Sequence, residues 1–321
     1  MKRFILIIVI LVSVSNIFSQ ELTKLSFALH WTPQSQFAGY YLAKDLGIYK
    51  KHGIDLTIIP AGPGVSTSAM LQKGEVDFAL LWLSNAIQLK ANKTDIVNIS
   101  QIVNRSALML IAKKSSGIKS PEDMNGKKIG IWGGDFQIQP MAFFKKYNLN
   151  VKTIMQGNSI NLFFFGGVDV TSAMWYNEYH TILNSGFNPE ELNTFFYSDY
   201  GLNFPEEGIY CSEKFYSEHP DLCKAFVEAT LEGWQYAFSH PDEAVNIILK
   251  YMKEANIAAN KSHQRWMLES IKDLIFPHKK TDSFERLTMH GYLLVARTLK
   301  EEGLIKEIPD FYSLYKPVIN R

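Results

Sequence analysis

The chain is poor in cysteine, with two among 321 residues. That is too few for a disulfide framework or a four-thiolate zinc site. It lacks a surplus of either charge: 33 Lys and Arg face 32 Asp and Glu, a formal net charge of +1. No basic excess therefore points to nucleic acid. It also lacks the polar bias of a disordered chain, being 46% hydrophobic and 20% charged. No apolar run reaches the roughly 20 residues of an ordinary membrane span. Phosphate loops, the dinucleotide fingerprint, the nucleophile elbow and the His-Glu-x-x-His zinc motif are all missing. The eight histidines (30, 52, 180, 219, 240, 263, 278 and 290) have no metal-ligand spacing. Neither a metal nor a cofactor is expected.

The first residues form a separate object. Met1-Lys2-Arg3 is a short positive start, Phe4 to Val14 is almost unbroken apolar sequence, and Ser15–Ser19 is more polar and ends small. This is the order of a secretory signal peptide over residues 1–19, with cleavage expected after Ser19 and an uncleaved anchor as the alternative. Without it the charge balance becomes 33 − 2 = 31 positive against 32 negative. An exported, monomeric, periplasmic or extracytoplasmic protein is expected. Cys211 and Cys223 then have two readings, a disulfide permitted by the compartment or two buried thiols.

After residue 24, apolar runs alternate with helical patterns. Strands are predicted at 25–29, 54–59, 76–81, 96–103 and 107–112, with helices at 36–46, 66–72 and 85–91. Gly47, Gly53 and Gly74 stand where helices should stop. A second series begins near 115. It has a capped helix start at Ser120-Pro121-Glu122-Asp123, strands at 127–132, 151–155, 168–174 and 194–197, and helices at 137–147 and 177–184. Beyond a short strand before Cys211, the pattern is helical over 220–238, 241–255, 261–275 and 282–302. The alternation predicts α/β architecture with largely parallel sheets and no internal repeat. Crossings at 112–117 and 205–210 would make a discontinuous lobe, 20–112 plus 210–321, and a second lobe, 113–209. A cleft between lobes is a preferred place for small ligands.

Four of the six tryptophans, Trp31, Trp82, Trp132 and Trp175, come at or just past the ends of predicted strands. Ligands of open α/β sheets bind beyond the carboxyl ends of the strands. These positions predict an aromatic-lined cleft for a flat, uncharged or weakly cationic solute. Polar neighbours that would serve such a ring are Gln34, Ser84, Asn85, Asp135, Tyr176, Asn177 and Glu178. Trp234 and Trp266, inside helical patterns, read as core. His30 lies beside Trp31, but a lone histidine is weak grounds for catalysis. Glu206-Glu207 reads as a solvated loop, because adjacent carboxylates do not converge.

The stretch from His30-Trp31-Thr32-Pro33-Gln34 through Ala38-Gly39-Tyr40 to Gly53-Ile54-Asp55-Leu56 resembles the family of nitrate-, sulfonate- and taurine-binding proteins and thiamine-pyrimidine (NMT1/THI5-like) proteins. Gly74-Glu75-Val76-Asp77-Phe78, Gly126-Lys127-Lys128-Ile129-Gly130 and the segment 213–245 with Gly233-Trp234 extend the resemblance over nearly all the chain. It implies a type II periplasmic-binding-protein fold and a solute-binding protein serving an ABC permease and ATPase. Within the family, Trp31, Asn177 and Glu178 resemble the branch that contacts an aminopyrimidine, with Gln34 as a departure from the more usual asparagine. A sulfonate- or riboflavin-type ligand, or a sensing rather than transporting role, is the alternative. The family also holds an enzyme, a thiamine pyrimidine synthase that uses lysine-bound pyridoxal phosphate. Alignment on Val76-Asp77 places Leu81 at that lysine and Asn85 at its histidine, so a non-enzyme is expected.

Overall fold

The computed structural model describes residues 21–62, 64–276 and 284–319. The expected signal peptide lies outside them. Ten strands are formed among the described residues: β1 (Thr23–Leu29), β2 (Ile54–Pro60), β3 (Phe78–Trp82), β4 (Val97–Gln101), β5 (Leu108–Lys113), β6 (Lys128–Ile131), β7 (Lys152–Met155), β8 (Val170–Met174), β9 (Leu192–Phe196) and β10 (Glu207–Cys211). They build two five-stranded sheets, ordered β2-β1-β3-β10-β4 and β7-β6-β8-β5-β9. In each sheet the first three strands run parallel. In each, the fourth strand is antiparallel to both its neighbours. Two α/β units thus share one plan.

That shared plan is a likeness of topology that no internal sequence repeat announces. A common device marks it. Asp77, just before β3, accepts hydrogen bonds from the Ser26 backbone N–H and hydroxyl, both at 2.7 Å, tying β3 to β1. Asp169, just before β8, accepts from the Lys128 N–H at 2.8 Å, tying β8 to β6. The local sequences are Gly74-Glu75-Val76-Asp77 and Gly166-Gly167-Val168-Asp169. The likeness is too short to stand out until the strands are superposed in role.

The chain passes between sheets over 102–107 and 197–206. The first passage precedes β5, where the sequence pattern had placed it after. The apolar runs at 96–103 and 107–112 look alike, and only pairing reveals that the second joins β8 and β9. Two helices are also shorter than expected. The start at Ser120 gives one 3-10 turn, Pro121–Met124, because the chain turns at Gly126 (φ 75°) into β6. The expected helix 282–302 begins at Met289, capped by Thr288, whose side chain accepts the Gly291 N–H. Ahead of it Phe284 is drawn into the core against Phe276, ring centroids 4.7 Å apart. Residues 277–283 lie outside the described segments.

The C-terminal helices pack on the first sheet. Helix Pro220–Ser239 lies against helix Ala38–Asp45 at a close crossing made by two glycines. A Cβ on Gly39 would stand 2.3 Å from the buried Trp234 ring, and one on Gly233 would stand 2.4 Å from the Gly39 carbonyl oxygen. Two stretches of the family resemblance, 38–40 and 233–234, therefore meet in space, and steric closeness explains their glycines. Trp234 is core as expected. Cys211 and Cys223 are both buried and free. No helix among the described residues is long and apolar enough to cross a membrane.

Candidate functional site

In each sheet the connections leave one strand toward opposite sides: β1 pairs with both β2 and β3, and β6 with both β7 and β8. A crevice opens at the carboxyl ends of strands flanking such a point. The four strands concerned are β1, β3, β6 and β8, and their ends carry Trp31, Trp82, Trp132 and Trp175. A cavity of about 880 Å³ lies there, bounded by both sheets and by the C-terminal helices.

An aromatic row crosses it. His30 stands 6.0 Å from Trp82, and Trp82 meets Phe136 edge-on at 5.1 Å. Phe136 meets Trp132 at 5.7 Å. Trp132 is held from behind by its indole N–H on the Gly157 carbonyl oxygen, 3.1 Å. Gln34, Asn85 and Asp135 line the cavity with Trp31, and Tyr176, Asn177 and Glu178 line it opposite. Nine of the eleven candidate residues are thus brought together. Trp175 is not among the lining residues. It packs edge-on against Phe196 at 6.2 Å, and its carbonyl accepts the Trp266 indole N–H. The chain direction flips at the strand end, and the next residue, Tyr176, takes the place in the cavity. Ser84 is buried in the first turn of helix Leu83–Ala91 and does not line the cavity.

The polar floor is buried, where a solvated loop was expected at Glu206-Glu207. Glu206 and Glu207 are 1% and 3% exposed. They stand at the start of β10, where the chain re-enters the first sheet. Glu207 Oε1 accepts from His30 Nε2 at 2.8 Å and from the Gln36 amide. Glu206 fastens the two crossing segments: its N–H donates to the Val103 carbonyl at 2.9 Å, and its Oε1 accepts the Ala107 N–H at 2.6 Å. Burial, with the adjacent Glu207 charge, pushes the Glu206 carboxyl well up. Nothing local predicts this. Two adjacent carboxylates can both be buried only where separate partners reach each, and those partners lie about a hundred residues or more away.

The second unit contributes two further carboxyls. Asp135 accepts from Gln88 Nε2 at 3.1 Å, a contact between the two units, and burial raises it. Glu178 accepts from the Met174 N–H at 3.0 Å and from Asn177 Nδ2 at 2.7 Å. Burial raises Glu178, partly offset by these donors. Across the mouth, helix Lys261–Ile275 supplies His263 and Gln264, which the sequence did not single out. His263 Nε2 lies 2.9 Å from Asn177 Oδ1, and Gln264 accepts the Ser35 N–H at 2.7 Å. Trp266, read as core, is half-buried and stacks on His180 at 4.8 Å. Their only sequence signal is a polar face on a helix otherwise read as packing.

No lysine or arginine lines the cavity among the described residues, and Leu81 does. The site therefore offers flat aromatic surface with half-buried carboxyl and amide groups. It offers no cationic anchor and no amine for a Schiff base, so the lysine-bound cofactor of the synthases does not fit these residues.

Comparison with known proteins finds both enzymes and binding proteins among the relatives. The chain is 26% identical over 245 residues to a 4-amino-5-hydroxymethyl-2-methylpyrimidine phosphate synthase of Legionella pneumophila, spanning 70% of this chain and 73% of that protein. It is 23% identical to the riboflavin-binding protein RibY of Chloroflexus aurantiacus, over 77% of this chain and 72% of that one. It is also 23% identical to the formylaminopyrimidine-binding protein of Halalkalibacterium halodurans, over 74% and 73%. The periplasmic aliphatic sulphonate-binding protein SsuA of Escherichia coli shares the fold, with a TM-score of 0.73 at 15% identity over 92% of each chain. The description NMT1/THI5 like matches residues 34–244, more than half of the sequence. The chain is a member of the NMT1/THI5-like family, with the two-unit fold of the periplasmic binding proteins.

Proposed function

We propose that the protein captures a small planar heterocycle rich in N–H donors between its two α/β units, and that a thiamine pyrimidine precursor of the formylaminopyrimidine or hydroxymethylpyrimidine kind is its solute. The observation that carries this is the pairing of aromatic walls with the half-buried carboxyls of Asp135 and Glu178 in a cavity where no described lysine or arginine stands. A carboxylate accepting from an aminopyrimidine makes a charge-assisted hydrogen bond. An anion such as a sulfonate would instead meet Asp135 and Glu178 with no counter-charge. Capture proceeds by closure: contacts from both units favour the closed form, and the segments fastened by Glu206 serve as the hinge. Export through residues 1–19 and delivery to an ABC permease and ATPase complete the reading.

Tryptophan fluorescence during titration tests it, with the protein first unfolded and refolded to remove carried-over ligand. The panel is formylaminopyrimidine, hydroxymethylpyrimidine, thiamine, riboflavin, taurine and an alkanesulfonate. A saturable change with one pyrimidine and none with sulfonates is expected. A response to sulfonates alone overturns the ligand class. A synthase reading favoured by the Legionella relative requires an amine for the cofactor, and Leu81 at the aligned position cannot supply it.

A further inference from the structure

Asn177 precedes helix Glu178–Asn184, the position where an asparagine side chain ordinarily satisfies free backbone N–H groups. Here it makes no such bond. Its Nδ2 is committed to Glu178 Oε1, and its Oδ1 faces His263 Nε2. An amide whose nitrogen is engaged by a carboxyl has only its oxygen left to accept, so His263 carries its proton on Nε2. His263 Nδ1 is then a lone pair, and a proton on His180 Nδ1, 3.0 Å away, meets it when the Asn184 amide, 3.2 Å from that same His180 nitrogen, turns its oxygen to it. His180 is fixed by stacking on Trp266 at 4.8 Å and 12°.

We propose that His263 is a positioning residue for recognition: it reaches from the C-terminal helices across the cleft mouth, holds the Asn177 amide, and so aims the Glu178 carboxyl at the solute only when the two units are closed. The inference rests on the reading that Glu178 faces the solute. It adds a requirement that a carboxylate alone would not impose, namely a neutral imidazole of one tautomer.

The surroundings keep His263 neutral. From helix Glu178–Asn184 it faces His180, with Glu178 behind Asn177 and Tyr179 against Trp266. Helix Pro241–Glu254 brings Asp242, engaged by Arg265 at 2.7 Å. On its own helix stand Lys261, Arg265 and Glu269, the last two paired at 2.8 Å. The turn Ser35–Phe37 presents only a backbone N–H, to Gln264. Helix Pro220–Ser239 reaches the chain just past the far end through Phe238 on Phe276. Burial and then His180 hold His263 down at about 4, against an ordinary value of 6.5. A group depressed in the closed form supports that form fully above its ordinary value, and the support is lost as pH falls from 6.5 toward about 4. Protonation of both His263 and His180 would set two N–H donors against each other across their contact.

The test compares His263→Gln, which keeps an N–H donor but does not titrate, with His263→Phe, which keeps a ring and loses the donor. Calorimetry with formylaminopyrimidine is expected to show His263→Phe weakened about 30-fold and His263→Gln within about threefold of the parent. Between about pH 7.5 and pH 5 the parent loses about 30-fold in affinity and His263→Gln stays flat. Parental binding by His263→Phe, or the same acid loss in His263→Gln, overturns the proposal. Glu178→Gln is the control for the underlying reading: if it binds as tightly as the parent, or no pyrimidine binds, that reading fails. The decision then passes to X-ray scattering without ligand. A larger radius of gyration for His263→Phe than for the parent at pH 7.5, matched by the parent at pH 5, supports the latch, and equal radii overturn it.

Discussion

The antiparallel strand of the first sheet, β10, begins with Glu207, buried and bonded to His30 and Gln36 under the cleft. Its counterpart in the second sheet, β5, is apolar from Leu108 to Ala112 and ends in Lys113, whose amine lies over the Phe163 and Phe187 rings. The strand plan is the same, but the chemistry on it is not. The first unit lines the cavity with tryptophans and neutral amides around a histidine already engaged by Glu207. The second lines it with Asp135 and Glu178. A shared topology therefore fixes where a ligand can lie, while side chains at the ends of four strands decide what it can be.

The comparison can be broken first at the close packing. Gly39→Ala meets the buried Trp234 ring, whereas Gly130→Ala in the second sheet meets the amide end of Gln156 at 2.6 Å. We expect Gly39→Ala to cost about 3 kcal/mol, a fall of about 6–9 °C in Tm, and Gly130→Ala about 1 kcal/mol, by calorimetric unfolding. Equal losses would mean that the two units tolerate crowding alike. Next comes recognition. Glu178→Gln is expected to weaken pyrimidine binding about 30-fold, the loss of a hydrogen bond to a charged group worth about 2 kcal/mol, measured by isothermal titration.

The repeated aspartates sharpen the comparison further. Asp77→Ala removes two hydrogen bonds to Ser26 and Asp169→Ala removes one to Lys128. Denaturant unfolding should give about 2 and about 1 kcal/mol, at roughly 1 kcal/mol per bond. The smallest effects concern the strand-end tryptophans. Trp82→Ala should weaken binding about tenfold through lost ring contact, and Trp175→Ala less than twofold. An equal loss for Trp175→Ala would place that ring in the cavity after all.

Much of the fold was legible because its punctuation is local. Gly47, Gly53 and Gly74 adopt positive φ of 69°, 78° and 68°, so helix ends fell where the glycines stood. Strand ends followed, and with them Trp31, Trp82 and Trp132. Trp175 departs from the expectation because its packing partners, Phe196 and Trp266, lie 21 and 91 residues along the chain. Glu206 and Glu207 depart for a like reason: the partners that make their burial tolerable come from residues 30, 36, 103 and 107. His263 was unreadable for the same cause, being 86 residues from Asn177.

By itself the sequence determined the α/β alternation, the strands and most helix limits, because hydrophobic period and glycine conformation act within a few residues. It also determined the aromatic residues at the strand ends. Only the tertiary structure decided which sheet β5 joins, which tryptophan turns away, and which carboxyls are buried together. Those outcomes depend on hydrogen bonds and packing between segments far apart in the chain, where a buried charge is tolerated only if a distant partner arrives to meet it.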